Sequence, residues 1–234
     1  NNPYFLSATQ DVVPVDYNDD GQLDMFTPGL LIAHGQEIDL QGYRYTSLLY
    51  QNISNDSTGT FNNWINLTLE GSNTELDNEG WTTKSNLSAI GARAIVEVFD
   101  KNISREIIAG KGHGSMDPLR LHFGLGNASQ IESITIKWPS LDTLNNSPKI
   151  SIYEGPISVN ENYHIVEDIG FVGKKGDANF DDYINVIDIV NIVSEILEPY
   201  NNDPLFIWAC DLNYSLDINV IDITKLISFI LAHQ

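Results

Sequence analysis

The sequence predicts a mainly β chain, an antiparallel sandwich with a propeller-blade-like N-terminal segment, that ends in a small all-α module. Three observations carry that expectation. Short alternating apolar runs recur as far as about residue 166, separated by turns rich in Gly, Asn and Pro. Beyond that point the apolar residues recur at spacings of three and four, the period of a helix. Each of the two helical runs follows the same oxygen-rich loop, GDANFDDYINVIDI at residues 176–189 and CDLNYSLDINVIDI at residues 210–223. The expected divisions are residues 1–60, 61–170 and 171–234.

A hydrophobic content of 42% with 10% aromatic residues is enough for packed cores. Twelve Lys and Arg against 32 Asp and Glu give a formal charge of −20, which argues against nucleic acid or an anionic membrane as partner and favours cations. No run of eighteen apolar residues is present, so no membrane span is expected. Cys210 alone supports neither an intrachain disulfide nor a Cys-based zinc site. The start NNPYF, without Met or signal peptide, reads as a mature or excised segment. Sequons at Asn52, Asn55, Asn66, Asn86, Asn102, Asn127, Asn145 and Asn213 are glycosylation candidates and suit an extracellular or cell-surface location.

In the N-terminal segment Val12, Val13 and Val15 precede, and Leu23, Met25 and Phe26 follow, a loop with candidate metal ligands Asp16, Asn18, Asp20, Gln22 and Asp24. Gly21 fills its sixth position, and its closing carboxylate comes at the ninth. These residues resemble the FG-GAP/VCBS calcium loop of β-propeller blades. The resemblance implies a calcium ion here and a later strand of the same blade at residues 45–52. One blade is visible where a propeller needs several, so its sheet edges call for completion.

Alternation places Trp64, Leu67 and Leu69, then Ala94, Val96 and Val98, on half-buried strands. Further strands are expected at residues 106–109, 119–123, 133–138, 150–153 and 163–166, with the polar stretch 71–88 as an excursion between strands. The blocks SAIGARAIVEVFD and REIIAGKGHGSMDPLRLHFGLGNASQIESITIKWPS resemble the ASPIC/UnbV domain, which often follows FG-GAP/VCBS blades. Gly91, Ala92, Arg93, Arg105, Gly110, Gly112, residues 122–126, Trp138 and Pro139 are the matching positions, over about residues 64–167. The resemblance implies an extracellular accessory domain and no established reaction. His113 departs from the family, which tends to carry an aromatic or aliphatic residue there.

His113, His122, Ser115, Asp117 and Arg105 are the side chains from which a nucleophilic or acid–base site would be built. Ser115 lies in no nucleophile-elbow pattern, and His122 alternates with Leu121 and Phe123 as a sheet residue would. The expectation is therefore no catalytic residue and no enzyme. Of Trp64, Trp81 and Trp138, two are expected in cores, and Trp81, in the polar excursion, is the candidate sugar platform.

Residues 168–176, DIGFVGKKG, read as the boundary before the repeat. In the repeat, positions 1, 3, 5 and 12 carry Asp177, Asn179, Asp181 and Asp188, then Asp211, Asn213, Ser215 and Asp222. Tyr183 and Asp217 stand at position 7, which supplies a backbone carbonyl. Oxygen ligands at this spacing, without Cys or His, suit Ca²⁺. Position 6 usually needs Gly for a positive φ, and here carries Asp182 and Leu216; Leu costs about 1–2 kcal/mol in that conformation. With Ser215 in place of Asp, the second site is expected to be the weaker.

Ile187, Val190, Ile192 or Val193, and Leu197 give the first helix its apolar face, and Ile221, Leu226, Ile227 and Ile230 the second. Paired loops and helices over residues 176–234 resemble a dockerin, which implies a cohesin-like partner domain. Val186, Ile187, Val220 and Ile221 match positions where dockerins often carry recognition residues; the alternative is that they pack the two helices together. The functional expectation is a non-catalytic, extracellular calcium-binding protein attached to a partner through this module. One alternative is a self-assembling subunit of a surface layer or filament, its copies joined by strand addition. Another is a carbohydrate-binding or enzymatic fragment.

Overall fold

The computed structural model describes residues 8–9, 11–27, 29–30, 47–53, 62–72, 75–76, 82–111, 115–142, 144 and 146–232. The fold is mainly β, with antiparallel sheets and three short helices near the C-terminus, and the described residues form no closed barrel or propeller. Two compact units are present, Asn1–Tyr163 and His164–Gln234.

The first unit opens with β1 (Ala8–Thr9), β2 (Val13–Val15), β3 (Asp24–Thr27), β4 (Gly29–Leu30) and β5 (Leu48–Tyr50). β1 pairs with β4, and β2, β3 and β5 form a three-stranded sheet in that order. The loop between β2 and β3 is the oxygen-rich loop of the N-terminal segment. The later strand expected at residues 45–52 appears as β5 and pairs within the chain, Met25 opposite Tyr50 and Thr27 opposite Leu48. Tyr45 and Thr46 lie outside the described residues.

Next come β6 (Asn63–Glu70), β7 (Glu75–Leu76), β8 (Thr82–Lys84), β9 (Arg93–Val98), β10 (Lys101–Glu106), β11 (Leu121–Gly126), β12 (Ile131–Asp142) and β13 (Ser147–Ile157). One sheet runs β10, β9, β12, β13, and β6 pairs with β11 antiparallel. Strand alternation sends every second side chain to one face. Ala94, Val96, Ile134 and Ile136 are thereby wholly buried on the first sheet, and Ile65, Leu67 and Phe123 on β6 and β11. Trp138 joins the core, whereas Trp64 is half-buried. Trp81 lies outside the described residues.

Two details differ from the sequence expectation. The strand placed at residues 106–109 lies earlier, at β10, because Phe99 and Asp100 both take positive φ (52° and 57°) and close a two-residue hairpin with β9. Neither residue is the glycine that usually announces such a turn, and β10 is mostly exposed, which hides its alternation. The polar excursion is not wholly irregular, since β7 pairs with β8 within it.

β14 (Glu161–Val166) begins in the first unit beside β6, where the Asn160 N–H donates to the Trp64 carbonyl at 2.6 Å. In the second unit its last residues pair with β15 (Gly170–Val172), Val166 opposite Gly170. Residues 170–172 of the expected linker are thus strand. α1 (Val186–Leu197), α2 (Pro204–Cys210) and α3 (Val220–Ala232) follow. α2 enters the second loop; Asp203 caps it and Pro204 opens it, where a missing N–H costs no helical bond.

The apolar faces assigned to the helices need correction. Ile192 and Leu226 are wholly buried and pack with Ala178, Phe206 and Cys210, while Ile189, Ile196, Ile223 and Ile230 pack around them. Ile187, Val190 and Leu197 on α1 and Ile221 and Ile227 on α3 are exposed. Both helices are apolar on more than one face, and spacing alone did not say which face meets the core.

Candidate metal centres

The three oxygen-rich loops share one backbone design. Their fourth residues, Asp19, Phe180 and Tyr214, take φ of 57°, 58° and 59°. Their sixth, Gly21, Asp182 and Leu216, take 82°, 68° and 66°. Left-handed residues at both places coil the chain tightly enough for successive N–H groups to point inward. In each loop the first carboxylate then accepts two of them. Asp16 accepts from Asp20 and Gly21 at 3.1 and 3.2 Å, Asp177 from Asp181 and Asp182 at 3.2 and 2.8 Å, and Asp211 from Ser215 and Leu216 at 3.0 and 2.9 Å.

The closing carboxylate folds back over the start of each loop. Asp188 accepts from Ala178 at 2.8 Å and Asn179 at 3.3 Å through Oδ1, and from Asn185 at 2.8 Å through Oδ2. Asp222 repeats this with Asn213 at 3.1 Å and Asn219 at 2.9 Å. Asp24, at the ninth position, accepts from Tyr17 at 3.3 Å and from Asn52 at 2.7 Å. At the helix entry Asn185 caps α1, its side chain accepting from Ile187 at 2.8 Å, and Asn219 meets Ile221 in the same way at 2.9 Å.

The intermediate ligand candidates close the ring. The Asn18 amide donates to Asp20, and that of Asn179 to Asp181, each at 2.8 Å. Gln22 and Tyr183 N–H groups reach Asp20 and Asp181 at 2.8 and 2.9 Å. In the third loop the Ser215 N–H donates to Asn213 at 2.8 Å and its hydroxyl to the Asp217 carbonyl at 3.1 Å. Each loop thus gathers carboxylate, amide or hydroxyl oxygens and carbonyls, a set suited to a hard divalent cation. Among the described residues no three His, Cys, Asp or Glu side chains form a ready-made metal cluster. The donor set is mixed.

Burial sharpens the electrostatics. Asp16, Asp24, Asp177, Asp188, Asp211 and Asp222 are all buried, two in every loop. The ion pairs among the described residues are Arg93 with Glu106, Lys111 with Asp117 and Arg120 with Asp19; none reaches the six buried acids. Carboxylates removed from water cost several kcal/mol each unless compensated, and backbone N–H groups compensate only in part. Lys174 approaches the middle loop through the Asp182 carbonyl at 2.6 Å, and Lys175 lies over the Tyr214 ring at 3.9 Å and the Trp208 ring at 4.8 Å. Arg120 reaches the Asp16 carbonyl at 2.7 Å. These three basic residues had no local sequence pattern to mark them.

The recognition candidates at the helix starts are open to solvent. Val186 and Ile187 are 63% and 56% exposed, and Val220 and Ile221 are 60% and 54% exposed. They do not pack the two helices together.

Of the side chains weighed for catalysis, Arg105, Asp117 and His122 line one cleft of the first unit. Ser115 bonds to the Asp11 carboxylate and to the Lys111 carbonyl, Asp117 pairs with Lys111 at 2.7 Å, and His122 bonds to Asn66 at 2.9 Å. His113 lies outside the described residues. Burial lowers the His122 pKa, with Asp16 opposing and Arg105 and Arg120 adding to the decrease. Cys210, wholly buried, is pushed up to about 12 by burial and by the carboxylates of Glu195, Asp188 and Asp222. Among the sequons Asn102 and Asn127 are exposed, and Asn52, Asn86 and Asn213 half-exposed. Asn66 is buried and hydrogen-bonded to Asp16, Asn162 and His122, so its amide is not presented to solvent. Asn55 and Asn145 lie outside the described residues.

The comparison with curated proteins finds no match. Residues 82–168, which span β8 to β14 and hold the Gly91, Arg105, Trp138 and Pro139 positions, match the model of the ASPIC and UnbV family.

Proposed function

We propose that this is a non-catalytic, extracellular calcium-binding protein whose second unit is a dockerin-like attachment module. The observation that carries the reading is the pair of buried carboxylates in each loop, gathered by backbone N–H groups and met by no cationic side chain among the described residues. Calcium at Asp177, Asn179, Asp181, Asp188 and the Tyr183 carbonyl would neutralise one pair. A second ion at Asp211, Asn213, Ser215, Asp222 and the Asp217 carbonyl would neutralise another, and a third, at the FG-GAP/VCBS-like loop of Asp16, Asn18, Asp20, Asp24 and the Gln22 carbonyl, the remaining one. These ions are structural, and their binding energy is folding energy for the loops that hold them.

Metal-pinned loops fix the first turns of α1 and α3, where Val186 and Ile187, and Val220 and Ile221, face solvent. A matched apolar pair presented twice suits a partner that buries it, and a cohesin-type domain is the occupant the dockerin resemblance implies. Binding of the full chain to a panel of cohesin domains, in calcium and in chelator, tests this. Calcium-dependent binding supports it, and binding to none of them contradicts the cohesin-type partner.

The sheet of β2, β3 and β5 favours a second reading. Met25 and Phe26 on β3 and Leu48, Leu49 and Tyr50 on β5 are all exposed, so a neighbouring copy that extends this sheet would cover apolar surface. Sedimentation in calcium distinguishes the two: a monomer supports the discrete attachment module, and concentration-dependent polymers support the self-assembling subunit.

A further inference from the structure

Two clefts of the first unit share Leu23, Arg105 and His122. The larger, of about 330 Å³, is walled by Asn52, Asn62 and Asn63, and the smaller, of about 130 Å³, extends to Arg120. The larger cleft is in the size range of small-molecule sites, about 300–1,000 Å³.

Of the arginines lining these clefts, one lacks a carboxylate partner among the described residues. Glu106 is held by Arg93 at 2.7 Å and Asp117 by Lys111 at 2.7 Å, while Asp16 belongs to the metal loop beside the cleft. Arg120 is engaged with the Asp19 carboxylate and the Asp16 carbonyl. Arg105 donates to the Ser104 carbonyl at 3.1 Å and lies over the Phe123 ring at 5.9 Å, and among the described residues it forms no ion pair. In a chain of net charge −20 a guanidinium left without a carboxylate at a cleft wall is a receptor for one.

His122 supplies the complementary group. The Asn66 amide nitrogen donates to Asp16 at 3.3 Å and to the Asn162 side-chain oxygen at 2.9 Å. Its own oxygen therefore faces His122 Nδ1 at 2.9 Å and accepts the ring proton. That tautomer leaves Nε2 as an acceptor, suited to a hydroxyl. The ring is stacked on Trp64, with centroids 6.4 Å apart and planes 20° apart, and Trp64 in turn lies against Gly21, where a Cβ would fall 1.9 Å from the indole nitrogen. Stacking and close packing hold the imidazole as a fixed flat surface beside the asparagine amides.

From this set we propose that the cleft binds an acidic sugar, a hexuronate unit of a polysaccharide, with its carboxylate on Arg105, one hydroxyl on His122 Nε2 and another on the amide of Asn62, the Asn63 amide being engaged with Ala128 and Asn160. A neutral sugar would leave the guanidinium unmatched, and a simple dicarboxylate would leave the Asn62 amide and Nε2 unused. The proposal is independent of the cohesin-type attachment and gives the first unit a ligand of its own.

The test is titration of the full chain, in calcium-containing buffer, with D-glucuronate and D-galacturonate against D-glucose and D-galactose, followed by amide NMR shifts. The expected result is saturable binding of at least one uronate, at least tenfold tighter than its neutral counterpart, with the shifts centred on Asn62, Arg105 and Gly124. Arg105→Met, at an exposed position, should weaken uronate binding at least tenfold, and Lys137→Met on β12 should leave it unchanged. No uronate binding, equal binding of neutral sugars, or unchanged binding in Arg105→Met would overturn the assignment.

Discussion

Leu216 holds its backbone at φ 66°, in the left-handed region that Asp182 occupies at φ 68° at the matching position of the preceding loop. Asp tolerates this conformation, whereas a bulky Leu is strained by about 1–2 kcal/mol. The Leu216 side chain is 70% exposed, so little packing offsets the strain. Leu216→Gly should raise calcium affinity at the Asp211–Asp222 loop about three- to tenfold, part of the relief being lost to glycine's greater freedom in the unfolded chain. Asp182→Gly should change its loop less. Calorimetric calcium titration of the two variants checks the order, and a loss of affinity in Leu216→Gly would count against it.

Asp188→Asn keeps the side-chain shape and removes one charge from a wholly buried position. Affinity of its loop for calcium should fall by about 2–3 kcal/mol, the scale of a lost charged contact. The thermal midpoint should therefore drop far more in calcium than in chelator. Equal drops in the two buffers would show that Asp188 acts only as the acceptor for Ala178 and Asn185.

Cys210 gives a pH signature of the second unit. Burial raises its folded pKa above the ordinary thiol value near 8.5, and in the calcium-free chain the carboxylates of Glu195, Asp188 and Asp222 help to push it up to about 12. The stability linked to this group is fully present below about pH 8.5 and is lost as pH rises toward 12, because the unfolded chain releases the proton first. The slope should approach about 1.4 kcal/mol per pH unit within that window. Urea melts in chelator at pH 8, 9 and 10 measure it, and Cys210→Ala should flatten it. An identical alkaline slope in Cys210→Ala would assign the loss to other groups.

Ile187 and Ile221 occupy equivalent exposed places at the starts of α1 and α3. If a partner can use either pair, Ile187→Asp or Ile221→Asp alone should weaken partner binding by about the statistical factor of two, and the double variant should abolish it. Surface-plasmon titration against a cohesin-type domain in calcium reads this directly. A single variant that abolishes binding would assign recognition to one face.

The sequence was most legible where local chemistry decides the outcome. Paired Asp and Asn spacings located all three loops, and the Asn185 and Asp188 capping box lies within the same motif. Alternation located β9 and β12 because one face of each is buried, and the apolar Ile65, Leu67 and Leu69 marked β6, which also buries Asn66 on its other face. The Phe99 and Asp100 turn was not legible, since positive φ there is imposed by the pairing of β9 with β10. Nor were the contacts of Arg120 with Asp19, or of Asn66 with Asp16, which join residues far apart in the chain. α2 carried a readable signal, Asp203 and then Pro204, but its seven residues are too short for a helical period to stand out. Which face of α1 turns inward was settled by Phe206 and Cys210, contributed by that same short helix.

The central claim is that calcium neutralises the buried acid pairs and thereby holds the helix starts in place. Native mass spectrometry of the chelator-stripped full chain, titrated with calcium and followed in parallel by far-UV circular dichroism, tests it most directly. The account predicts three bound ions and a gain of helical signal as the two C-terminal loops fill, the Asp177–Asp188 loop before the Asp211–Asp222 loop. No bound calcium, or a helical signal identical in calcium and in chelator, would contradict it.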